Sequence, residues 1–221
     1  MQAMVICPHC RQKCHIVEKL YLCLKTISMN KLVVINACVR QADSRTLRIA
    51  EPLIAALGER YEITRYDLPE MEGVVPLTPA LFAGRGRGEI PAWALEAARD
   101  IAAADRILIA APFWDMSFPA VLKAFFEQVS LFDVTFTDTG STCRGLCKAP
   151  KVLYITTRGM DIQTGDPREQ ATPYLSALGS LWNLGELTTI AACNMDYLPE
   201  EAVEAKISAC IARGLELAEN W

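Results

Sequence analysis

Residues 32–46, LVVINACVRQADSRT, decide the fold. The first four residues are apolar and mostly β-branched, which is typical of a strand that is buried on both faces. A polar loop follows and brings Ser44 to the start of a segment with helical spacing, where serine is a favoured N-cap. The stretch therefore predicts a strand, a loop and a helix, which together form the first unit of an α/β domain.

Four further strand candidates follow, and helical patterns fill the gaps between them. These candidates are 61–64, 107–110, 152–155 and 187–190. Buried strands that alternate with helices predict a parallel sheet covered on both faces. Five such units with right-handed crossovers favour the flavodoxin-like strand order over the Rossmann-like order. We expect an α/β, flavodoxin-like domain with a five-stranded parallel sheet.

Three local features add expectations about the helices and connections. Pro52 lies inside the first predicted helix and should kink or interrupt it, because proline removes a backbone donor. Ser117 can cap the third helix, whose apolar residues repeat at helical spacing from Leu122 to Val129 and indicate core packing. The segment 67–91 contains four prolines and a Gly-Arg repeat, so we expect a long and mobile connection, either a solvated loop or a lid.

Composition restricts the class of function. The chain has 221 residues, 52% of them apolar, and a formal net charge of -4 with Lys and Arg dispersed along it. No basic patch for nucleic acid or an anionic membrane is present, and no segment reaches the roughly 20 apolar residues of a membrane span. We therefore expect a cytoplasmic protein that acts on small molecules, with most of its nine cysteines reduced.

The N-terminal residues 1–28 differ in composition from the rest and predict an extension that precedes a domain spanning 29–221. The extension contains cysteine and histidine at partial zinc-site spacing, so it is either a flexible segment or part of a zinc site. Two later cysteines could complete four ligands in space. The residues concerned are Cys7, His9, Cys10, Cys14, His15, Cys23, Cys143 and Cys147. We assign no metal ligand.

Three loops that follow predicted strands carry the candidate site. The first delivers Ser44, Arg45 and Thr46 to a helix N-terminus, where hydroxyls, a cation and free N–H groups suit a phosphate. The alternative is that Ser44 only caps the helix. The second, 113–119, places two large aromatic residues at the carboxyl edge of the sheet, where they either face a planar ring or belong to the core. The third, 156–160, could meet the polar edge of a heterocycle.

These loops and their neighbours resemble the FMN-dependent NADH azoreductases and NAD(P)H quinone reductases of the flavodoxin-like class. The resemblance covers nearly everything after Met29. The stretches that carry it are 36–46, 111–123, 134–136, 157–159 and 172–175.

The resemblance implies a role for each loop and a homodimer with the flavin near the subunit interface. The phosphate arm of FMN would be held by Cys38, Ser44, Arg45 and Thr46. The isoalloxazine would be bordered by Phe113, Trp114, Asp115 and Met116, and its pyrimidine side by Thr157, Arg158, Gly159 and Met160. Azoreductases commonly have Met-Tyr-Asn-Phe before the third helix, and the carboxylate of Asp115 near the ring would disfavour an anionic reduced flavin.

The implied activity is transfer of two electrons from NADH or NADPH, through FMN, to a quinone, azo or nitro acceptor. Hydride enters and leaves at flavin N5, so we assign no catalytic side chain. Both histidines lie within the first 15 residues, which argues against Ser-His or Cys-His catalysis in the main domain. Two alternatives stay open. One is a flavodoxin-type electron carrier, and the other is a metal-dependent sensor built on the N-terminal cysteines.

Overall fold

The computed structural model describes residues 29–221, and a parallel sheet forms its centre. The strands are β1 (Asn30–Asn36), β2 (Tyr61–Asp67), β3 (Arg106–Ala110), β4 (Phe136–Asp138), β5 (Cys143–Gly145), β6 (Lys151–Thr157) and β7 (Glu186–Ala192). Five of them form the sheet in the order β2-β1-β3-β6-β7, and β4 and β5 form an antiparallel hairpin that sequence analysis missed. All five predicted strands and the flavodoxin-like class are confirmed.

The strand order reverses beside β1. The chain leaves β1 for β2 on one side and returns to β3 on the other, with Leu32 paired to Ile63 and to Arg106. In open α/β sheets such a reversal leaves a crevice at the carboxyl ends of the strands, where ligands bind. The crevice expected for this sheet lies where β1 and β3 end, at Asn36 and Ala110.

Helices cover both faces of the sheet because successive side chains of a buried strand point to opposite faces. On one face, Leu32 and Val34 share a core with Leu53, and on the other, Val33 and Ile35 share a core with Phe126. The helices are α1 (Arg45–Gly58), α2 (Pro79–Gly86), α3 (Ala92–Ala103), α4 (Ala120–Val129), α5 (Ala171–Trp182) and α6 (Glu200–Glu219). The first core includes α1 and α6, and the second includes α3, α4 and α5.

The expected interruption of the first helix at Pro52 and the expected cap at Ser117 are both wrong. α1 runs through Pro52 without interruption, because Leu53 and its neighbours bury one face of the helix against the sheet and offset the missing hydrogen bond. Ser117 does not cap α4, which begins at Ala120 with Pro119 in the cap position. The Ser117 amide instead donates to the Trp114 carbonyl at 2.8 Å and closes a turn.

The long connection between β2 and α3 contains secondary structure and is hydrogen-bonded to α4. It contains a 3-10 turn, Leu68–Glu70, and α2, whose N-cap Thr78 accepts from the Leu81 amide at 3.2 Å. The buried amide of Gln128 on α4 donates to the carbonyls of Gly73 and Val75. The segment is therefore held against α4 rather than being a plain solvated loop. Among residues 29–221, no helix combines the length and apolar character needed to cross a membrane.

Candidate active site

The loops that follow β1, β3, β6 and β7 meet at the carboxyl edge of the sheet and enclose a cleft of about 160 Å³. Of the predicted site residues, Ser44, Arg45, Phe113, Trp114, Thr157 and Gly159 line this cleft, and the rest of the predicted set lies beside or behind it. Sequence analysis missed four lining residues, which are Arg40, Pro112, Met195 and Asp196.

One end of the cleft is the N-terminus of α1. Ser44 is buried and its hydroxyl oxygen accepts from the Leu47 amide at 3.3 Å, so the capping interpretation is confirmed. The hydroxyl also has a hydrogen of its own to donate, and the Cys38 thiol lies within its reach. Helix N-termini also present backbone N–H groups and a partial positive charge, which favour an anion. Capping and anion binding are therefore compatible at Ser44.

Arg45 adds a full positive charge at this end. One guanidinium nitrogen, Nη1, donates to the Met195 carbonyl at 3.0 Å and to Asp196 Oδ1 at 2.8 Å. An arginine has five N–H donors, so Nε and Nη2 can still bind a phosphate. Asp196 follows β7, more than 150 residues away in sequence, and only its position after a parallel strand could have indicated that it belongs to this edge.

Thr46 supports the cleft from behind. Its side chain is fully buried, and its hydroxyl lies 2.7 Å from the hydroxyl of Thr157, which lines the cleft. The contact joins the first turn of α1 to the end of β6. Thr46 is thus placed to hold Thr157 in position, and its predicted direct contact with phosphate stays a prediction.

Cys38 also lies behind the cleft. Its thiol is buried and donates to the Ala110 carbonyl at 3.6 Å, and burial raises the pKa of Cys38 to about 11. The thiol is therefore neutral at physiological pH. The Cys38 amide donates to the side-chain oxygen of Asn36, whose amide nitrogen donates to Asp67 at 2.7 Å. These bonds fix the loop after β1, and the predicted role of Cys38 toward phosphate stays untested.

The aromatic wall comes from the loop after β3. Phe113 is buried, whereas Trp114 is 40% exposed at the mouth. Residues Trp114 to Ser117 form a tight turn whose two central residues, Asp115 and Met116, have φ of 47° and 64°. Left-handed backbone at two non-glycine residues costs energy and often marks a functional loop. The turn presents Asp115 and Met116 to solvent beside the mouth rather than to the cleft interior.

The loop after β6 contributes two residues to the cleft lining and one buried side chain behind it. The side chain of Arg158 is fully buried behind the cleft wall and does not line the cleft, and it donates to the Ile162 carbonyl at 2.9 Å and to Thr164 Oγ1 at 3.0 Å. Met160 is exposed at the rim, and its carbonyl accepts from the Asn194 amide. From this loop, Thr157 and Gly159 are the residues that line the cleft.

Gly159 leaves room for the carboxylate of Asp196. A Cβ atom at position 159 would lie 2.1 Å from Asp196 Oδ2, and the Asp196 amide already donates to the Gly159 carbonyl at 3.1 Å. A methyl group at 159 would displace the carboxylate that holds Arg45. The three residues therefore act as one unit at the cleft wall.

For the FMN that the sequence resemblance implies, we expect Gly159→Ala to weaken binding about tenfold, equivalent to about 1.4 kcal/mol, because the displaced carboxylate releases Arg45. Asp196→Ala removes the clash, so Gly159→Ala in that background should cost much less. Flavin titration of the four proteins measures the coupling. Gly86→Ala, where a Cβ meets no atom within 4 Å, is the control. Equal losses in both backgrounds would contradict the coupling.

Most of the residues in the zinc hypothesis lie outside the part of the chain that the structure describes. The N-terminal cysteines and histidines, Cys7 to Cys23, precede the described residues. Of the later pair, Cys143 is exposed on β5 and Cys147 is buried, with its thiol 3.7 Å from the Thr135 carbonyl and its pKa raised by burial to about 12. Within residues 29–221, no group of three or more His, Cys, Asp or Glu side chains is arranged to hold a metal.

Comparison with known proteins agrees with this architecture. A family model described as flavodoxin-like fold matches residues 30–217. A curated protein of Clostridium acetobutylicum, FMN-dependent NADH:quinone oxidoreductase 2, is 30% identical over 205 residues, covering 87% of this chain and 100% of that protein. A protein of the same type from Clostridium perfringens is 29% identical over 201 residues, with the same coverage of both chains.

Solved structures show the same fold. An azoreductase from Bacillus anthracis superposes with a TM-score of 0.74 at 19% identity, covering 87% of this chain and 100% of that one. An FMN-dependent NADH-azoreductase from the same species, solved in complex with FMN, gives a TM-score of 0.69 at 20% identity, covering 86% of this chain and 100% of that one.

Proposed function

This chain belongs to the flavodoxin-like fold family, and we propose that it is an FMN-dependent NAD(P)H oxidoreductase that reduces quinone, azo or nitro acceptors by two-electron transfer. One observation carries the proposal. The cleft at the strand-order reversal combines an anion-binding end at Ser44 and Arg45 with an aromatic wall at Phe113 and Trp114. The names of the curated relatives specify FMN, NADH and quinone.

The residues present fit FMN part by part. The phosphate has a helix N-terminus, the Ser44 hydroxyl and the free donors of Arg45. The flat ring has the apolar faces of Phe113 and Trp114, and its polar edge has Thr157 and the backbone at Gly159.

When bound, FMN supplies the redox chemistry, since flavins accept hydride from nicotinamides and pass electron pairs to quinone-like acceptors. The protein binds and orients the flavin and excludes water from one of its faces. This division of labour suits a cleft whose ten lining residues include no histidine, lysine or cysteine. The co-substrate is NADH or NADPH, with NADH favoured by the names of the relatives.

We also propose a homodimer with the flavin near the subunit interface. The exposed Trp114, Met116 and Met160 at the rim of the cleft support this, because a second copy would cover apolar area that one chain leaves in water. A small-molecule acceptor and a cytoplasmic location complete the proposal, and the location rests on composition alone.

Rapid mixing tests the enzyme against the electron-carrier alternative. We expect NADH to bleach the visible absorption of the bound flavin in a single phase under anaerobic conditions, and a quinone to restore it, because the cleft is open for both to alternate at one ring face. Free FMN at the same concentration is the control. If neither NADH nor NADPH reduces bound FMN while a chemical one-electron donor does, the chain is a carrier.

A further inference from the structure

A fully buried ion pair lies directly behind the wall of the cleft. Arg158 and Glu169 are both completely shielded from solvent, with Nη2 of the arginine 3.7 Å from Oε1 of the glutamate. The guanidinium carbon of Arg158 lies 5.4 Å from the centre of the Phe113 ring. Because Phe113 lines the cleft, one aromatic ring separates the buried positive charge from the site of the flavin.

The two charges of the ion pair lie at different distances from the cleft. The guanidinium adjoins Phe113, and the backbone on both sides of Arg158 lines the cleft at Thr157 and Gly159. Glu169 does not line the cleft, and its Oε1 accepts instead from the Thr172 amide at the first turn of α5, at 2.9 Å. The positive end of the pair therefore faces the cleft and the negative end faces α5.

Local hydrogen bonds do not fully satisfy this pair. Within residues 29–221, Arg158 Nε and Glu169 Oε2 are both buried and have no hydrogen-bond partner among protein atoms. A buried, incompletely satisfied ion pair is costly compared with apolar side chains of similar volume. Such a cost calls for a functional explanation.

We infer that Arg158 raises the reduction potential of the bound flavin through its field, without touching it. Two-electron reduction adds negative charge to the flavin, and a cation behind Phe113 stabilises that charge in an environment that salt screens poorly. This inference rests on the proposed function. The sequence places a carboxylate, Asp115, where it would disfavour an anionic reduced flavin. Asp115 is exposed at the mouth, so water screens its charge more than it screens the buried charge of Arg158.

The test is the potential of bound FMN, measured by spectroelectrochemistry in the full-length protein, with dissociation constants for oxidised FMN alongside. Arg158→Met should lower the affinity for reduced relative to oxidised FMN about tenfold, which for a two-electron couple is about 30 mV toward negative potential. Glu169→Gln should shift the potential in the opposite direction. Opposite signs report charge, whereas distortion of the loop would move both variants the same way.

Two further proteins keep the test decisive. Arg158→Met/Glu169→Gln leaves no unpaired buried charge, so it should fold even where Glu169→Gln does not, and it should show the lowered potential. Arg85→Met removes an arginine that donates to the carbonyls of Glu127 and Gln128, outside the cleft lining, and should leave the potential unchanged. Potentials equal to wild type in Arg158→Met and in the double variant overturn the inference, as do shifts of the same sign in both single variants. A wild-type protein that binds no FMN overturns the proposed function, and this inference with it.

Discussion

Replacing Ser44 and Thr46 together by alanine is expected to weaken FMN binding by about 2 to 4 kcal/mol, or about 30- to 700-fold, because a hydrogen bond to the charged phosphate and the bond that positions Thr157 are both lost, at about 1 to 2 kcal/mol each. Ser44 loses a donor at the helix N-terminus, and Thr46 loses the hydroxyl that fixes Thr157. Riboflavin, which lacks the phosphate, should lose far less affinity than FMN from Ser44→Ala alone.

The control must separate a lost phosphate contact from a lost helix cap. Thr78→Ala removes an equivalent cap, since Thr78 accepts from the Leu81 amide at the start of α2, and Thr78 does not line the cleft. Both cap losses should cost about 1 kcal/mol of folding stability. Of these two variants, only Ser44→Ala should release flavin on dialysis. Full flavin retention by the double variant would move the phosphate away from this loop.

Phe126→Ala is expected to lower the free energy of unfolding by about 3 to 5 kcal/mol, which is the usual cost of truncating a buried phenylalanine. Phe126 is 1% exposed and stands at the centre of an aromatic cluster. Its ring packs edge-on against Trp182 at 5.8 Å and stacks on Tyr174 at 6.1 Å, which joins α4 to α5. Truncation therefore removes contacts on several sides at once and leaves a cavity.

Urea unfolding measures this effect, with flavin content recorded separately. Phe82→Ala is the matched control, because the same atoms are removed from a side chain that is 70% exposed, and its cost should stay below about 0.5 kcal/mol. Similar losses in the two variants would show that the aromatic cluster does not stabilise the domain as described.

The sheet could be predicted because its signals are local. Apolar runs such as Leu32 to Ile35 mark buried strands by themselves, and the loops that follow them must reach one edge of a parallel sheet. β4 and β5 were not predicted, because a strand of three residues is too short to show a hydrophobic alternation. The interruption predicted at Pro52 does not occur, because intrinsic helix propensity is a weak constraint once one face of a helix is buried.

The site could be predicted only in part, because sequence position does not give side-chain direction. Arg158 follows Thr157 and precedes Gly159, so all three were expected at the flavin edge, but the arginine turns inward to Glu169. Asp196 carries no pattern of its own and enters the site only through its bond to Arg45. Contacts between residues so distant along the chain depend on how the strands are ordered in space.

The turn at Asp115 and Met116 has a consequence for engineering. Glycine adopts the backbone of this turn without steric cost, whereas these two side chains each carry a conformational penalty on the order of 1 kcal/mol. A stabilised scaffold could therefore start from glycine at position 116. A library that seeks new acceptors should do the reverse and vary both positions, because their side chains stand at the entrance and contribute little to the core.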